Sequence, residues 1–161
     1  MVQCGVFGLW ICHTILLASI WGVAKGDDMD VLARTIWGEA RGEGRQGMEA
    51  VASVIINRAD WPGAGWWGNT VEEVCKKPYQ FEVWNEGNPN RALMLAVTDK
   101  DPQFRTALEI ARKAVARQLP DQTRGATHYY AYKKISPPSW TSGRTPTATI
   151  GGHRFYNIGP G

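Results

Sequence analysis

The sequence predicts a single α+β domain, mainly helical, with a small antiparallel sheet at its C-terminal end. Three observations carry this. Apolar residues recur at helical spacing in three stretches between Val31 and Gln118. From Thr127 onward the pattern changes to short β-prone runs, His128-Tyr129-Tyr130-Ala131-Tyr132 and Thr147 to Tyr156. The 161 residues, 43% hydrophobic and 20% charged, suit one packed core.

The first 24 residues contain no Lys, Arg, Asp or Glu, and Val6 to Ala24 is about the length of a membrane-spanning helix. This segment is expected to direct export, as a cleaved signal peptide with small residues at Gly22 and Ala24 or as a retained anchor. Residues 25–29, including Gly26-Asp27-Asp28, read as a polar hinge that caps the first helix. The folded domain is then expected over 30–157, with 158–161 a tail.

In the first helix Val31, Leu32, Thr35 and Ile36 share a face, and the helix is expected to end near Gly38. A second helix is read from Gln46 to Asn57. Its Met48, Val51, Ala52, Val54, Ile55 and Ile56 are dense enough to make it the buried, central helix. The stretch from Asp60 to Asn69 is rich in Gly, Pro and Trp and reads as a loop. Thr70 then caps a short helix to Lys76, with Glu73 completing a capping box. A long helix from about Pro102 to Gln118 buries Phe104, Leu108, Ala111 and Val115, its start marked by Asp101 and Pro102. After it, two short strands are expected, joined through the Pro137-Pro138 loop. No internal repeat or low-complexity tract is present.

A net charge of +3 with no Lys/Arg cluster fits work beside an anionic polymer and argues against a nucleic-acid partner. Three cysteines do not make a disulfide framework, and Cys4 and Cys12 lie in the leading segment. Cys75, following Val71 and Val74, reads as a small buried hydrophobe. His128 and His153 are conceivable zinc ligands, but no HExxH pattern or Cys cluster supplies a third, so no metal and no cofactor are expected.

The chemistry concentrates in Gly38-Glu39-Ala40-Arg41-Gly42-Glu43. If the helix persists, Glu39 and Glu43 lie one turn apart on one face. Such spacing occurs in solvated surface pairs and in functional ones; the adjoining Trp37 and the glycines, which leave room for a substrate, favour function.

The run from Leu32 to Arg58 resembles the SleB/CwlJ cell-wall hydrolase family, named for spore-cortex-lytic enzymes. Three further blocks match in order: Tyr79-Gln80-Phe81 with Trp84, Gly125 to Tyr130, and Ile150 to Tyr156. The resemblance spans about Asp30 to Tyr156. It implies a lysozyme-like or resuscitation-factor-like catalytic domain that cleaves peptidoglycan glycan strands between N-acetylmuramic acid and N-acetylglucosamine as a lytic transglycosylase. By that resemblance Glu39 is the general acid and then the general base, and Glu43 is a second candidate or a partner that raises the Glu39 pKa by like-charge repulsion. Glu82 is a third carboxylate that an inverting hydrolase would use.

Expected sugar contacts are Tyr79, Gln80, Phe81, Trp84, Thr127, His128, Tyr129, Tyr130, Trp140 and His153, the aromatics by stacking and Gln80 and Thr127 by hydrogen bonding. The eight tryptophans suggest that some lie exposed in the cleft. The chain is expected to act as a monomer, exported to the periplasm or tethered to the inner membrane if the leader is uncleaved, in wall remodelling or phage lysis. Two alternatives stand beside this: a hydrolytic muramidase of the same bond, and a non-catalytic glycan-binding module, against which the retention of both glutamates argues.

Overall fold

The computed structural model describes residues 26–63 and 65–160, so the charge-free leader lies outside the described residues. Five α-helices precede three strands: α1 (Gly26–Ala40), α2 (Gly44–Ala59), α3 (Val71–Lys76), α4 (Arg91–Ala96), α5 (Pro102–Val115), β1 (His128–Tyr130), β2 (Ala148–Ile150) and β3 (His153–Tyr156). Single 3-10 turns occupy Arg41–Glu43, Glu82–Trp84 and Ser139–Thr141. Among the described residues no helix is long and apolar enough to cross a membrane.

The apolar face of α1 is buried as the spacing predicts, with Leu32, Ala33 and Ile36 wholly enclosed. It packs on α5, α2 and α3. Of the residues read as a hinge, 26–29 are instead the first turn of α1, and the Asp28 carboxylate accepts the Glu72 backbone N–H at 2.9 Å, capping the start of α3 rather than its own helix. Helix α1 also runs two residues past Gly38.

Helix α2 is central. Met48, Val51, Ala52 and Ile55 face the helices, whereas Ala50 and Val54 pack against Ala126, Ile150 and Phe155 beneath the sheet. A helix that serves two cores needs apolar residues all round, which explains its dense composition.

The N-caps behave as the sequence predicts, but the Glu73 carboxylate reaches back to the Asn69 N–H at 2.7 Å rather than to that of Thr70, one residue beyond a capping box. Thr70 accepts the Glu73 N–H at 3.1 Å, and Asp101 accepts those of Gln103 and Phe104, both at 2.8 Å. The buried stripe of α5 is Phe104, Ala107, Ile110, Ala111 and Ala114, so Leu108 and Val115 sit at its margin. The helix ends at Val115 because Arg117 takes a left-handed φ of 57°. Cys75 is fully buried, and desolvation pushes its thiol up to about 12.

Two differences stand out. Helix α4 carries no capping residue of its own: its N-cap side chain makes no bond to it. Arg34 of α1 instead donates to the carbonyls of Met94, Leu95 and Val97 at 2.8, 3.1 and 3.3 Å, closing the C-terminal end from 60 residues away. The second expected strand is a hairpin, so the sheet has three antiparallel strands in the order β1-β3-β2. Gly151, at φ 58°, turns it, and Ile150 pairs with His153 across the turn.

Candidate active site

Glu39 stands on the last turn of α1, with Gly38 before it and Ala40 buried behind it. The segment Glu82–Trp84 lies directly against this turn. A Cβ at position 38 would come within 2.5 Å of Val83 Cγ2, so only glycine allows this approach. The proximity lets the Val83 backbone N–H donate to Glu39 Oε1 at 3.3 Å. Gly38, Glu39, Glu82, Val83, Asn88 and Asn90 line a small, almost wholly polar cleft of about 120 Å³.

The Glu39 pKa is raised. Burial of the carboxylate is the main cause and the Glu82 charge adds to it, while the Val83 N–H and the Tyr129 hydroxyl act in the opposite direction. A carboxyl so placed holds its proton further toward neutral pH than an exposed one, as a general acid must. The like charge acting on Glu39 is therefore Glu82, on a separate element, not Glu43.

Glu43 points elsewhere. The α-helix stops at Ala40 and the 3-10 turn that follows changes direction, so the two glutamates do not share a face. Glu43 Oε2 accepts the Gly152 N–H at 2.9 Å and lies 3.9 Å from His153 Nδ1. A Cβ at Gly151 would come within 2.8 Å of the same oxygen, so the glycine pair makes room for the carboxylate. Glu43 thereby clasps the β2–β3 turn to the helical part.

The strands sort the aromatic residues. Alternation along β1 turns Tyr129 toward the helices, where it stacks on Phe155 at 5.6 Å and meets the His153 ring edge-on at 5.4 Å. His128 and Tyr130 face the other way. Trp140 meets His128 at 5.5 Å and packs edge-on against Tyr130 and Tyr156 at 5.9 and 5.3 Å, covering the outer face of the sheet. Burial, with Arg58 and Arg144 nearby, lowers His128 to about 4, so its ring is neutral.

The Tyr79-to-Trp84 block divides similarly. Phe81 is core. Gln80 accepts from Arg58 at 3.0 Å and donates to the Trp67 carbonyl at 2.9 Å, fastening the tryptophan-rich loop. Tyr79 is 89% exposed at a φ of 66°. With Trp84 and Lys76 it lines a second hollow, which shares no lining residue with the Glu39 cleft. Trp84 is anchored by donation to Thr35 Oγ1 at 2.9 Å. Thr127 is buried and bonded to Ile158, donating to its carbonyl at 2.6 Å. No tryptophan lines the Glu39 cleft; the most exposed indole among the described residues is Trp66, at 53%.

Of the residues read from the sequence as substrate contacts, Tyr129 alone acts on Glu39. The cleft also contains Asn88 and Asn90, which the sequence reading missed because asparagines in a Gly/Pro-containing segment signal only a turn. Arg58 was missed as well. It donates to the Thr127 carbonyl at 2.7 Å and lies 5.4 Å from the Phe81 ring, binding α2, the loop and β1 together. Its signal was a lone arginine ending an apolar helix. Among the described residues no group of three His, Cys, Asp or Glu side chains is placed to hold a metal ion.

Comparison with known proteins agrees with this architecture. The sequence profile of a family described as Cell Wall Hydrolase matches residues 42–156. The catalytic domain of the Bacillus cereus SleB protein superposes with a TM-score of 0.61 at 27% identity, over 81% of this chain and 89% of that one. The catalytic domain of the germination-specific lytic transglycosylase SleB from Bacillus anthracis superposes with a TM-score of 0.62 at 27% identity, over 81% and 94%. No curated protein matches the chain in sequence.

Proposed function

The chain belongs to the cell wall hydrolase family, and from that premise we propose that it is a lytic transglycosylase cleaving peptidoglycan between N-acetylmuramic acid and N-acetylglucosamine. The observation that carries this is Glu39, a half-buried carboxyl of raised pKa on the wall of a polar cleft.

In the proposed reaction the protonated Glu39 gives its proton to the glycosidic oxygen as the bond to the muramic acid anomeric carbon breaks. Positive charge then develops at that carbon, and the negative Glu82 carboxylate in the same cleft stabilises it. Glu39, now a carboxylate, takes the proton of the muramic acid 6-hydroxyl while that oxygen bonds to the anomeric carbon. The products are a 1,6-anhydro end and a free 4-hydroxyl, and Glu39 recovers its proton. Tyr129 orients the carboxyl, and Tyr79 and Trp84 offer stacking surfaces further along the strand. Glu43 supports the site by holding the hairpin rather than by touching the sugar.

A second reading, a hydrolytic muramidase, draws on the presence of Glu82 in the same cleft. Two carboxylates on separate elements can flank a sugar ring, and an inverting enzyme would use the second to activate water. Since peptidoglycan lies outside the cytoplasm, either reading requires export, for which the charge-free segment before residue 25 is the proposed route.

The test is mass spectrometry of a peptidoglycan digest. Products lighter by one water support transglycosylation, and reducible ends support hydrolysis. Glu39→Gln is expected to abolish both while insoluble peptidoglycan is still bound; unchanged digestion would remove Glu39 from its role.

A further inference from the structure

We propose that Asn88 and Asn90 form a donor pair that recognises the acetamido carbonyl of the sugar in the Glu39 cleft, with Arg41 as the positioning residue that aims Asn90. The inference rests on the proposed function and names which substituent that cleft reads.

The orientation of both amides is fixed by donor-only partners. Arg41 Nη2 donates to Asn90 Oδ1 at 3.1 Å, and a guanidinium accepts nothing, so the contacting atom of Asn90 must be its oxygen. The Asn90 backbone N–H donates to Asn88 Oδ1 at 2.9 Å, which fixes the second amide in the same way. Both carbonyl oxygens are thereby committed to the protein. Among the described residues neither Nδ2 has a hydrogen-bond partner, and both residues line the cleft with Glu39 and Glu82.

The support behind the pair is stiff. Arg41 Nη1 donates to the Gly38 carbonyl at 3.1 Å, and the guanidinium lies 4.4 Å from the centre of the Trp37 ring. Trp37 in turn donates to Asp101 at 3.3 Å. The loop itself is pinned by Arg91 Nε on the Trp84 carbonyl at 3.1 Å and by the Asn88 N–H on the Asn85 carbonyl at 3.2 Å.

The cleft thus pairs a carboxyl wall, the acid Glu39 and the carboxylate Glu82, with a wall of two asparagine amides whose NH₂ groups are unspent. A sugar hydroxyl can be satisfied by either wall. A carbonyl oxygen accepts only, and beside the Glu82 carboxylate it would be repelled, so the amide wall is where it belongs. An N-acetylated hexosamine offers such an oxygen next to the glycosidic centre. A de-N-acetylated sugar presents an ammonium there, which leaves both amides unpaired.

The experiment measures binding in the Glu39→Gln background, so it does not depend on turnover. Affinity is determined for N-acetylated glycan strands and for the same strands after chemical de-N-acetylation. Asn90→Ala and Asn88→Ala are each expected to weaken binding of the acetylated strands about tenfold and that of the de-acetylated strands by less than twofold. Arg41→Gln should reproduce the Asn90→Ala pattern, whereas Arg41→Lys, which can still donate to Oδ1, should restore part of the discrimination. Equal losses on both strands, or no loss on either, would overturn the inference, provided far-ultraviolet circular dichroism shows each variant folded. A wild-type chain that binds with this selectivity and cuts neither strand would sink the proposed function while leaving the recognition intact.

Discussion

Gly38→Ala should cost activity far more than stability. The added Cβ would meet three atoms of Val83, at 2.5 Å from Cγ2, 3.0 Å from Cβ and 3.1 Å from Cγ1. Rotating the Val83 side chain can turn a methyl away but leaves its Cβ in place at 3.0 Å, so the backbone of the 3-10 turn has to move. Reaching the 3.4 Å at which ordinary contact begins requires about 0.4 Å for Cβ and, with the side chain kept in its rotamer, about 0.9 Å for Cγ2. The Val83 N–H would then stand about 4 Å from Glu39 Oε1, beyond hydrogen-bond reach. Overpacking costs about 1–3 kcal/mol, and alanine returns about 1 kcal/mol of helix propensity, so the net loss is about 2 kcal/mol or less. A displacement of about 1 Å in a catalytic group, however, can lower turnover about 100-fold. The lost N–H also raises the Glu39 pKa further and moves the basic limb of the pH profile upward. Product release from soluble glycan strands, its pH profile and thermal unfolding would be measured for Gly38→Ala and for Gly38→Ala with Val83→Ala, which makes room and should recover most of the turnover. A Gly38→Ala chain with wild-type turnover and pH dependence would refute the argument.

Glu82→Gln leaves the burial that chiefly raises the Glu39 pKa and removes the like charge that adds to it. The general acid must carry its proton, so the basic limb of the pH profile should move to lower pH while turnover in acid is retained; loss at every pH would instead identify Glu82 as an obligate second carboxylate. Glu43→Ala strips the acceptor from the Gly152 N–H, a charge-assisted bond worth about 2 kcal/mol, and should lower the melting temperature by about 8 °C. Glu43→Gln should recover most of that, and a Glu43→Ala chain melting with the parent would show that the clasp carries nothing. Cys75 should resist a maleimide in the native protein and react only at the rate of unfolding, since its thiol is buried and pushed up to about 12; rapid labelling of the folded chain would contradict its enclosure.

What the sequence disclosed was local. The buried face of α1, the Thr70 and Asp101 caps and the density of α2 are written in spacings of three or four residues. Helix α4 was hidden because its closing bonds come from Arg34, which no window around residues 91–96 contains. Glu39 was found by its apolar helix and its motif. The divergence of Glu43 was not, because a 3-10 turn of Arg41–Glu43 looks like continued helix at that spacing. Parity along β1 decides which aromatics can reach the carboxyl, and that requires knowing which face the sheet buries. Asn88 and Asn90 owe their orientation to Arg41 and to each other, a relation visible only once the loop has folded back on α1.

The Glu43 clasp also bears on when the protein becomes competent. It joins residues 109 positions apart, and Tyr129, which acts on Glu39, arrives nearly as late. A chain still emerging from the ribosome carries the glutamates long before it carries the hairpin that anchors one of them or the tyrosine that meets the other. The site is therefore incomplete until nearly the whole chain is made, and a prematurely terminated chain that lacks residues 148–156 would hold the acid without the clasp that frames it.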